Sequence, residues 1–276
     1  MATSPSTDNF TLGKGIVYFN RKNMDTGLYT GERDLGNAPA FSYNVALEKL
    51  EHFSSRSGIK SKDKEIISQV SPSIAFTLDE VTKENLSLLT LADIATVVQA
   101  GATITAEEVY AYPGTRIALS QRAISAVTVT DEDTGAITYV AGPASNPLAN
   151  YYIDASLSDD KIGRILIHED QSGCVAAIAA GDLLSVAYTS GAVTYTKIKA
   201  FAQNQVEGFL RFVSDNPAGQ NQELQIWRVS LAPAGDTAMI GEDWSTLGFT
   251  GELLKDETNH PDSPYFDIIT AQAVTV

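Results

Sequence analysis

The sequence predicts a mainly β fold built from antiparallel strands, and three observations carry that expectation. Apolar and polar residues alternate with a period of two over stretch after stretch, as they do in half-buried strands. Turn signals divide these stretches, among them Asp133-Thr-Gly135, Ser190-Gly191, Asn216-Pro-Ala-Gly219 and Pro233-Ala-Gly235. Only one segment carries the spacing of an amphipathic helix, so runs of strands dominate the chain.

Taken in order, residues 1–11 read as a flexible arm and 15–20 as the first strand. Phe41, Tyr43, Val45 and Leu47 then alternate with Ser42, Asn44, Ala46 and Glu48. In the same way Ile74, Phe76 and Leu78 alternate with Ala75, Thr77 and Asp79. The helix is expected over 82–93. Thr82 can cap it, Glu84 and Asn85 occupy its first turn, and Leu86, Leu89 and Ala92 form a stripe that would cover one side of a sheet. Residues 94–101 carry no decisive pattern. Further strands are expected at 124–130, 136–140, 163–168, 183–189, 196–213, 223–231, 247–254 and 266–270. From about residue 120 to 196 the strands are short, Ala and Gly are frequent, and the turns are acidic (Asp131-Glu-Asp133, Asp159-Asp160, Glu169-Asp170). The expected organisation is therefore a discontinuous domain, 1–118 plus 197–276, with a β-subdomain of 119–196 inserted in it. No repeat of solenoid or propeller period is present.

The chain has 276 residues, 43% of them hydrophobic, and its mean hydropathy is −0.06, a folded composition long enough for one large or two modest domains. No stretch approaches the ~18 apolar residues of a membrane span. The polar start lacks a basic region followed by an apolar one, so no signal peptide is expected. Cys174, the single cysteine, excludes an intramolecular disulfide, fits a reducing cytoplasm and reads as a small core hydrophobe.

With 34 acidic residues against 19 basic ones the formal charge is −15, which repels phosphate and argues against specific DNA binding. The charge is uneven. Residues 1–64 hold nine Lys/Arg and seven Asp/Glu, a net +2, so the remainder carries −17. The basic excess lies mainly in Arg56, Lys60, Lys62 and Lys64. That stretch is either a solvated loop or a head-to-tail contact that docks on the acidic body of another copy.

Catalytic signatures are missing, and no enzymatic activity, cofactor or metal is expected. His52, His168 and His260 are far apart, no Gly-x-Ser-x-Gly elbow occurs, and Cys174 has no local signature of a thiol nucleophile. His168-Glu169-Asp170 would alternate faces on a strand instead of converging on a metal. Asp131-Glu-Asp133-Thr-Gly135 is faintly similar to a calcium loop, but the twelfth position is Gly142 in place of glutamate, and a hairpin turn explains it. Gly13-Lys-Gly15 has Tyr18 where a dinucleotide fingerprint needs its third glycine. Carboxylates are abundant, yet nothing singles out a glycosidase pair. Trp227 and Trp244 could stack on a sugar, though a strand tryptophan is more often packing.

A more specific likeness lies in residues 31–80. A glycine turn and aromatic alternation (Gly36-Asn-Ala-Pro-Ala-Phe-Ser-Tyr-Asn-Val) lead into Leu47-Glu-Lys-Leu-Glu-His-Phe-Ser-Ser-Arg-Ser-Gly58. There follow a basic Ile59-Lys-Ser-Lys-Asp63, a second strand through Ser73-Ile-Ala-Phe-Thr-Leu-Asp79, and the helix. Near the end stand Thr246-Leu-Gly-Phe-Thr-Gly-Glu-Leu-Leu-Lys-Asp256 and Ser263-Pro-Tyr-Phe266. Together these segments, about half the chain, resemble the major tail proteins of bacteriophages, the tail tube subunits.

The resemblance implies a tail-tube-type two-sheet sandwich or barrel-like unit with one flanking helix. It implies six copies in a ring, rings stacked head to tail, and DNA passing without specific binding through a lumen during ejection. The implied partners are other copies of the chain, a tape-measure protein, a tail terminator and distal tail or baseplate proteins. The implied place is the virion, after assembly in the host cytoplasm, with no membrane contact. On that scheme Ser42, Asn44, Ala46, Glu48, Ala75, Thr77 and Asp79 face the lumen, while Phe41, Tyr43 and Val45 pack inward. Arg56, Lys60, Lys62 and Lys64 form the stacking loop between rings, and 119–196 lies on the outer surface. The alternatives are a secretion-system tube subunit of the same general fold and a β-sandwich module for glycan binding or adhesion.

Overall fold

The computed structural model describes residues 10–56, 58–133, 137–143, 145–153 and 163–270. The arm expected over 1–11 falls largely outside them, as do the Asp159-Asp160 turn and part of the strand expected at 136–140. Among the described residues the fold is mainly β, with sixteen strands and one short helix. The first four strands are β1 (Gly15–Lys22), β2 (Tyr29–Asp34), β3 (Ala40–Ser54) and β4 (Ser61–Leu78). The helix α1 (Lys83–Leu89) follows, then β5 (Asp93–Gln99), β6 (Ala102–Ala111), β7 (Arg116–Ala118), β8 (Ile124–Asp131), β9 (Tyr151–Ile153), β10 (Arg164–Ile167) and β11 (Asp182–Ser190). The chain closes with β12 (Val193–Lys199), β13 (Val206–Ser214), β14 (Gln222–Pro233), β15 (Leu247–Leu253) and β16 (Phe266–Thr270).

Two compact units result, Met1–Ile94 with Ile198–Val276, and Ala95–Lys197. The inserted unit thus begins at Ala95, not at 119 as the composition suggested. The reason is β6, which pairs antiparallel with β11 and so ties 102–111 to the insertion. Its sequence hides it. A register shift opposite Val186 and Tyr188 places Ile104, Glu107 and Val109 toward the interior, which breaks the period of two. The Glu107 carboxylate accepts hydrogen bonds there from the Tyr188 hydroxyl at 2.5 Å and from Ser120 Oγ at 2.9 Å. The insertion has its own core around Val129, Tyr151, Ile165, Ile167, Leu184 and Val186.

The other unit is one large sheet in the order β2-β1-β13-β14-β15-β4-β3, with β16 beside the first half of β14. It is not a closed barrel, since among the described residues β2 and β3 each have a free edge. It does roll over on itself. Phe41 of β3 stacks on Phe212 of β13 with ring centroids 5.1 Å apart, although the two strands stand four places apart in the sheet. Phe76 and Phe249 stack at 4.9 Å inside the same core, among Leu210, Ile226, Val229 and Leu247. Space is tight enough to demand glycine at 208, where a Cβ would meet the Phe19 ring at 2.5 Å.

Two expectations about element ends need correction. The helix stops at Leu89 instead of reaching residue 93, because Leu91 takes a left-handed φ of 49° and Thr90 turns its hydroxyl back onto the Leu86 carbonyl. The single strand expected over 196–213 is two, β12 and β13. It breaks where Phe201 adopts a φ of 55°, and the N–H groups of Phe201 and Gln203 bond to the carbonyls of Thr90 and Leu91.

Asn85 fixes α1 to the sheet. Fully buried, it donates through Nδ2 to the carbonyls of Leu35 (2.9 Å) and Glu80 (3.0 Å), and its Oδ1 accepts from Arg33 Nη2 at 2.8 Å. Its N–H is capped by the Thr82 hydroxyl, as the sequence predicted. Removing the amide leaves the buried Leu35 carbonyl and the Arg33 guanidinium short of a partner. Asn85→Ala should therefore destabilise this unit by about 2–4 kcal/mol, read as a lowered urea midpoint with an unchanged slope.

Candidate assembly interface

The first long strand pair outruns the sheet that it belongs to. β3 and β4 pair continuously from Ala40↔Thr77 to Ser54↔Ser61. The next strand, β15, covers β4 only from Leu78 to Ser73. Pro72, which lacks an N–H, sits one residue beyond the last β15 partner, where no second ladder is left to interrupt. From there to the tip, residues 61–71 and 45–54 form a two-stranded ribbon about 35 Å long at ~3.3 Å per residue.

Directly paired residues share a face. Ser42 pairs with Ala75, Asn44 with Ser73, Ala46 with Ser71 and Glu48 with Gln69, giving one small, polar and largely exposed face. Thr77, opposite Ala40, begins this row and is half-buried. Asp79 is not part of it. It lies one residue past the end of β4, where its N–H donates to the Asn37 carbonyl at 3.2 Å and its carboxylate accepts from Asn37 Nδ2 at 2.6 Å. Six of the seven residues expected to line one surface are therefore brought together, and the seventh closes a turn.

The opposite face was expected to pack inward, and only its base does. Phe41 joins the core and Tyr43 leans on Phe266 with ring centroids 5.8 Å apart, yet Tyr43 remains 52% exposed. Val45, Leu47 and its partner Val70 are 43%, 45% and 39% exposed, because no third strand or second layer reaches them. A cavity of about 620 Å³ opens beside the base, between Val17, Phe41, Phe212, Leu224 and Ile268.

Beyond the register shift at Glu48/Lys49, where Ser68 is the extra residue on β4, the character of the two faces changes. Leu50 and its partner Ile66 follow Glu48 on the formerly polar side, at 63% and 50% exposure. Charges enter the formerly apolar side, where Lys49 stands opposite the exposed Ile67. Lys49 pairs with Glu65 at 2.6 Å, and Lys62 bridges Glu51 and Glu65.

The basic stretch is accordingly no plain loop. Lys62 and Lys64 lie within β4, and only Arg56 and Lys60 belong to the turn. Lys62 is engaged by its own hairpin, and His52 meets Asp63 at 2.5 Å. Arg56, Lys60 and Lys64 form no ion pair among the described residues, so the free positive charge is concentrated at the tip.

Elsewhere, Trp227 is locked in place. His260 stacks on its ring at a 3.6 Å centroid separation and its Nε1 donates to the Ser263 carbonyl. Trp244 is 93% exposed on a loop. Cys174 is half-exposed, not the core residue expected, for it sits in an irregular turn outside the strands. Among the described residues no three His, Cys, Asp or Glu side chains gather as a metal site, and no helix is long and apolar enough to cross a membrane.

The hydrogen bonds from Lys49, and after it from Lys62, hold the Glu65 carboxyl down from an ordinary value of 4.5 to about 2. A depressed carboxyl of this kind supports the fold above its unfolded value and loses that support only as pH falls through the folded one. The network should therefore persist from neutral pH down toward about 2. An NMR titration should find the Glu65 midpoint far below the ordinary value, and Lys49→Gln should raise it.

No curated protein matches this chain. It does match, over residues 10–269, the family described as Protein of unknown function UCP028589, and a match of that extent makes the chain a member of that family.

Proposed function

We propose that this protein is a structural, self-assembling subunit of a phage tail tube, in which six copies form a ring and rings stack head to tail around a lumen that DNA crosses. The observation that carries this reading is the β3–β4 ribbon. A two-stranded hairpin is marginal by itself in water, yet this one extends well past its sheet with Tyr43, Val45, Leu47, Val70, Leu50 and Ile66 uncovered. Covering the exposed part of each would contribute about 1 kcal/mol. A surface of that kind asks for a protein partner.

The backbone supports the same reading. Among the described residues, β3 has fifteen residues and pairs on one side only, while β2 leaves the other end of the sheet open. Edges so long invite pairing between chains, and closing them between copies in a ring abolishes them. The polar row Ser42, Asn44, Ala46, Glu48, Ala75 and Thr77 then suits a water-filled lumen whose lack of positive charge lets DNA slide. The compact insertion, Ala95–Lys197, would stand on the outer surface of the tube.

Purified protein should form rings or tubes in negative-stain micrographs, and a monodisperse monomer at high concentration would exclude the proposal. Leu47→Lys with Val70→Lys should abolish rings and leave the circular dichroism spectrum and melting temperature of the monomer unchanged. Excising Ala95–Lys197 and joining Ile94 to Ile198 should still give tubes of smaller outer diameter; loss of rings would place the insertion in the wall instead.

A further inference from the structure

The loop between β14 and β15, residues 234–246, is pinned at its base and bare at its crown. The Ala234 N–H bonds to the Gly248 carbonyl at 2.9 Å, and Gly248 has no room for a side chain, since a Cβ would lie 2.4 Å from the Ala234 carbonyl oxygen. Within the loop the Ser245 hydroxyl donates to the Ala238 carbonyl at 3.2 Å. Beyond these ties Met239, Ile240 and Trp244 are 84%, 96% and 93% exposed. Three large apolar side chains on one solvent-facing loop contribute nothing to the core beneath them. Asp236, Glu242 and Asp243 stand among them, and the loop contains no Lys or Arg.

Its position relative to the ribbon follows from register. Leu247, the first residue after the loop, pairs with Leu78, the last residue of β4. The ribbon tip precedes Ser61, the first residue of β4. Loop and tip thus stand at opposite ends of one eighteen-residue strand, roughly 55 Å apart at ~3.3 Å per residue. They are also opposite in charge and alike in apolar exposure. The tip presents Arg56, Lys60 and Lys64 with Ile59, which is 82% exposed. A positive apolar end and a negative apolar end on one axis make a heterologous contact that repeats by translation.

We propose that the 234–246 loop of one copy receives the ribbon tip of the next copy along that axis, with Trp244, Met239 and Ile240 packing on Ile59. Asp236, Glu242 and Asp243 face Arg56, Lys60 and Lys64. Exposed Trp and Met at the centre of a contact, with charges at its rim, is the arrangement of an interface hot spot. The inference rests on the assembly reading above and names the surface that the stacking contact uses.

The test uses the full chain. Lys60→Glu with Lys64→Glu, and separately Asp236→Lys with Glu242→Lys and Asp243→Lys, should each cut the pelleted tube mass by about tenfold or more while rings persist in micrographs. A protein carrying both sets should regain tubes. In a Cys174→Ser background, Ile59→Cys protein mixed with Met239→Cys protein should form a disulfide-linked heterodimer on mild oxidation, and neither should do so with a Ser partner. Tubes of unchanged yield from the loop variant, or no disulfide in assembled tubes, would overturn the inference and leave the assembly reading standing. A wild-type chain that stays monomeric and forms no disulfide would overturn both.

Discussion

Unsatisfied backbone at the edge of β3 is the constraint on which the rest of the unit depends. Every peptide group in a strand carries a donor and an acceptor, and among the described residues those along the outer side of β3 have no strand beside them. Water can serve them in isolation. Proteins that remain monomeric usually blunt such an edge with lysines, prolines or bulges. This chain places Pro72 on β4, not on the edge strand, and leaves β3 regular through Glu48. The edge is therefore kept competent to pair, and the apolar residues beside it are kept bare.

The change in character of the faces at Glu48/Lys49 divides the ribbon into two parts with different physics. Below it, the uncovered side chains lie on the same face as the aromatic core, so a neighbour that covers them would extend the existing core. Above it, Lys49, Glu51, Lys62 and Glu65 neutralise one another through ion pairs within the ribbon. Such exposed pairs add little to stability. Their effect is on charge, because they remove Lys62 from the balance and leave Arg56, Lys60 and Lys64 to define the tip. Net positive charge on so short a segment, in a chain of −15 overall, gives that tip a direction in which it is attracted.

What was legible in the sequence was whatever keeps a strict period. The Phe41–Glu48 alternation located β3 and separated its faces correctly, and Thr82 located the start of α1. What was hidden was hidden by bulges and by pairing of long range. β6 is unreadable because Glu107 points inward at Tyr188 and Ser120, a polar residue in a position that the pattern reserves for an apolar one. The exposure of Val45 and Leu47 was hidden for a different reason. Alternation reports which face a residue takes but not whether anything lies opposite, and that depends on β15 ending its pairing at Ser73. The loop at 234–246 carried a signal of its own, since Met239, Ile240 and Trp244 lie between turn residues where no strand or helix could bury them.

The two ends of the insertion are held to each other. The chain leaves the large-sheet unit after α1 and re-enters it before β13, and the two crossing points are tied to each other. The N–H groups of Phe201 and Gln203 bond to the carbonyls of Thr90 and Leu91 at 2.9 and 3.0 Å, and Gln203 Nε2 donates to Asp93 at 2.9 Å. These bonds close α1 and hold the start of β13, and the pairing of β5 with β12 continues the same tie between the two crossing strands. Ends held side by side are what an inserted segment needs if the sheet that receives it is to keep its own pairing. That is the condition under which a domain of a hundred residues can be gained or lost while the pairing surfaces of the parent sheet keep their geometry.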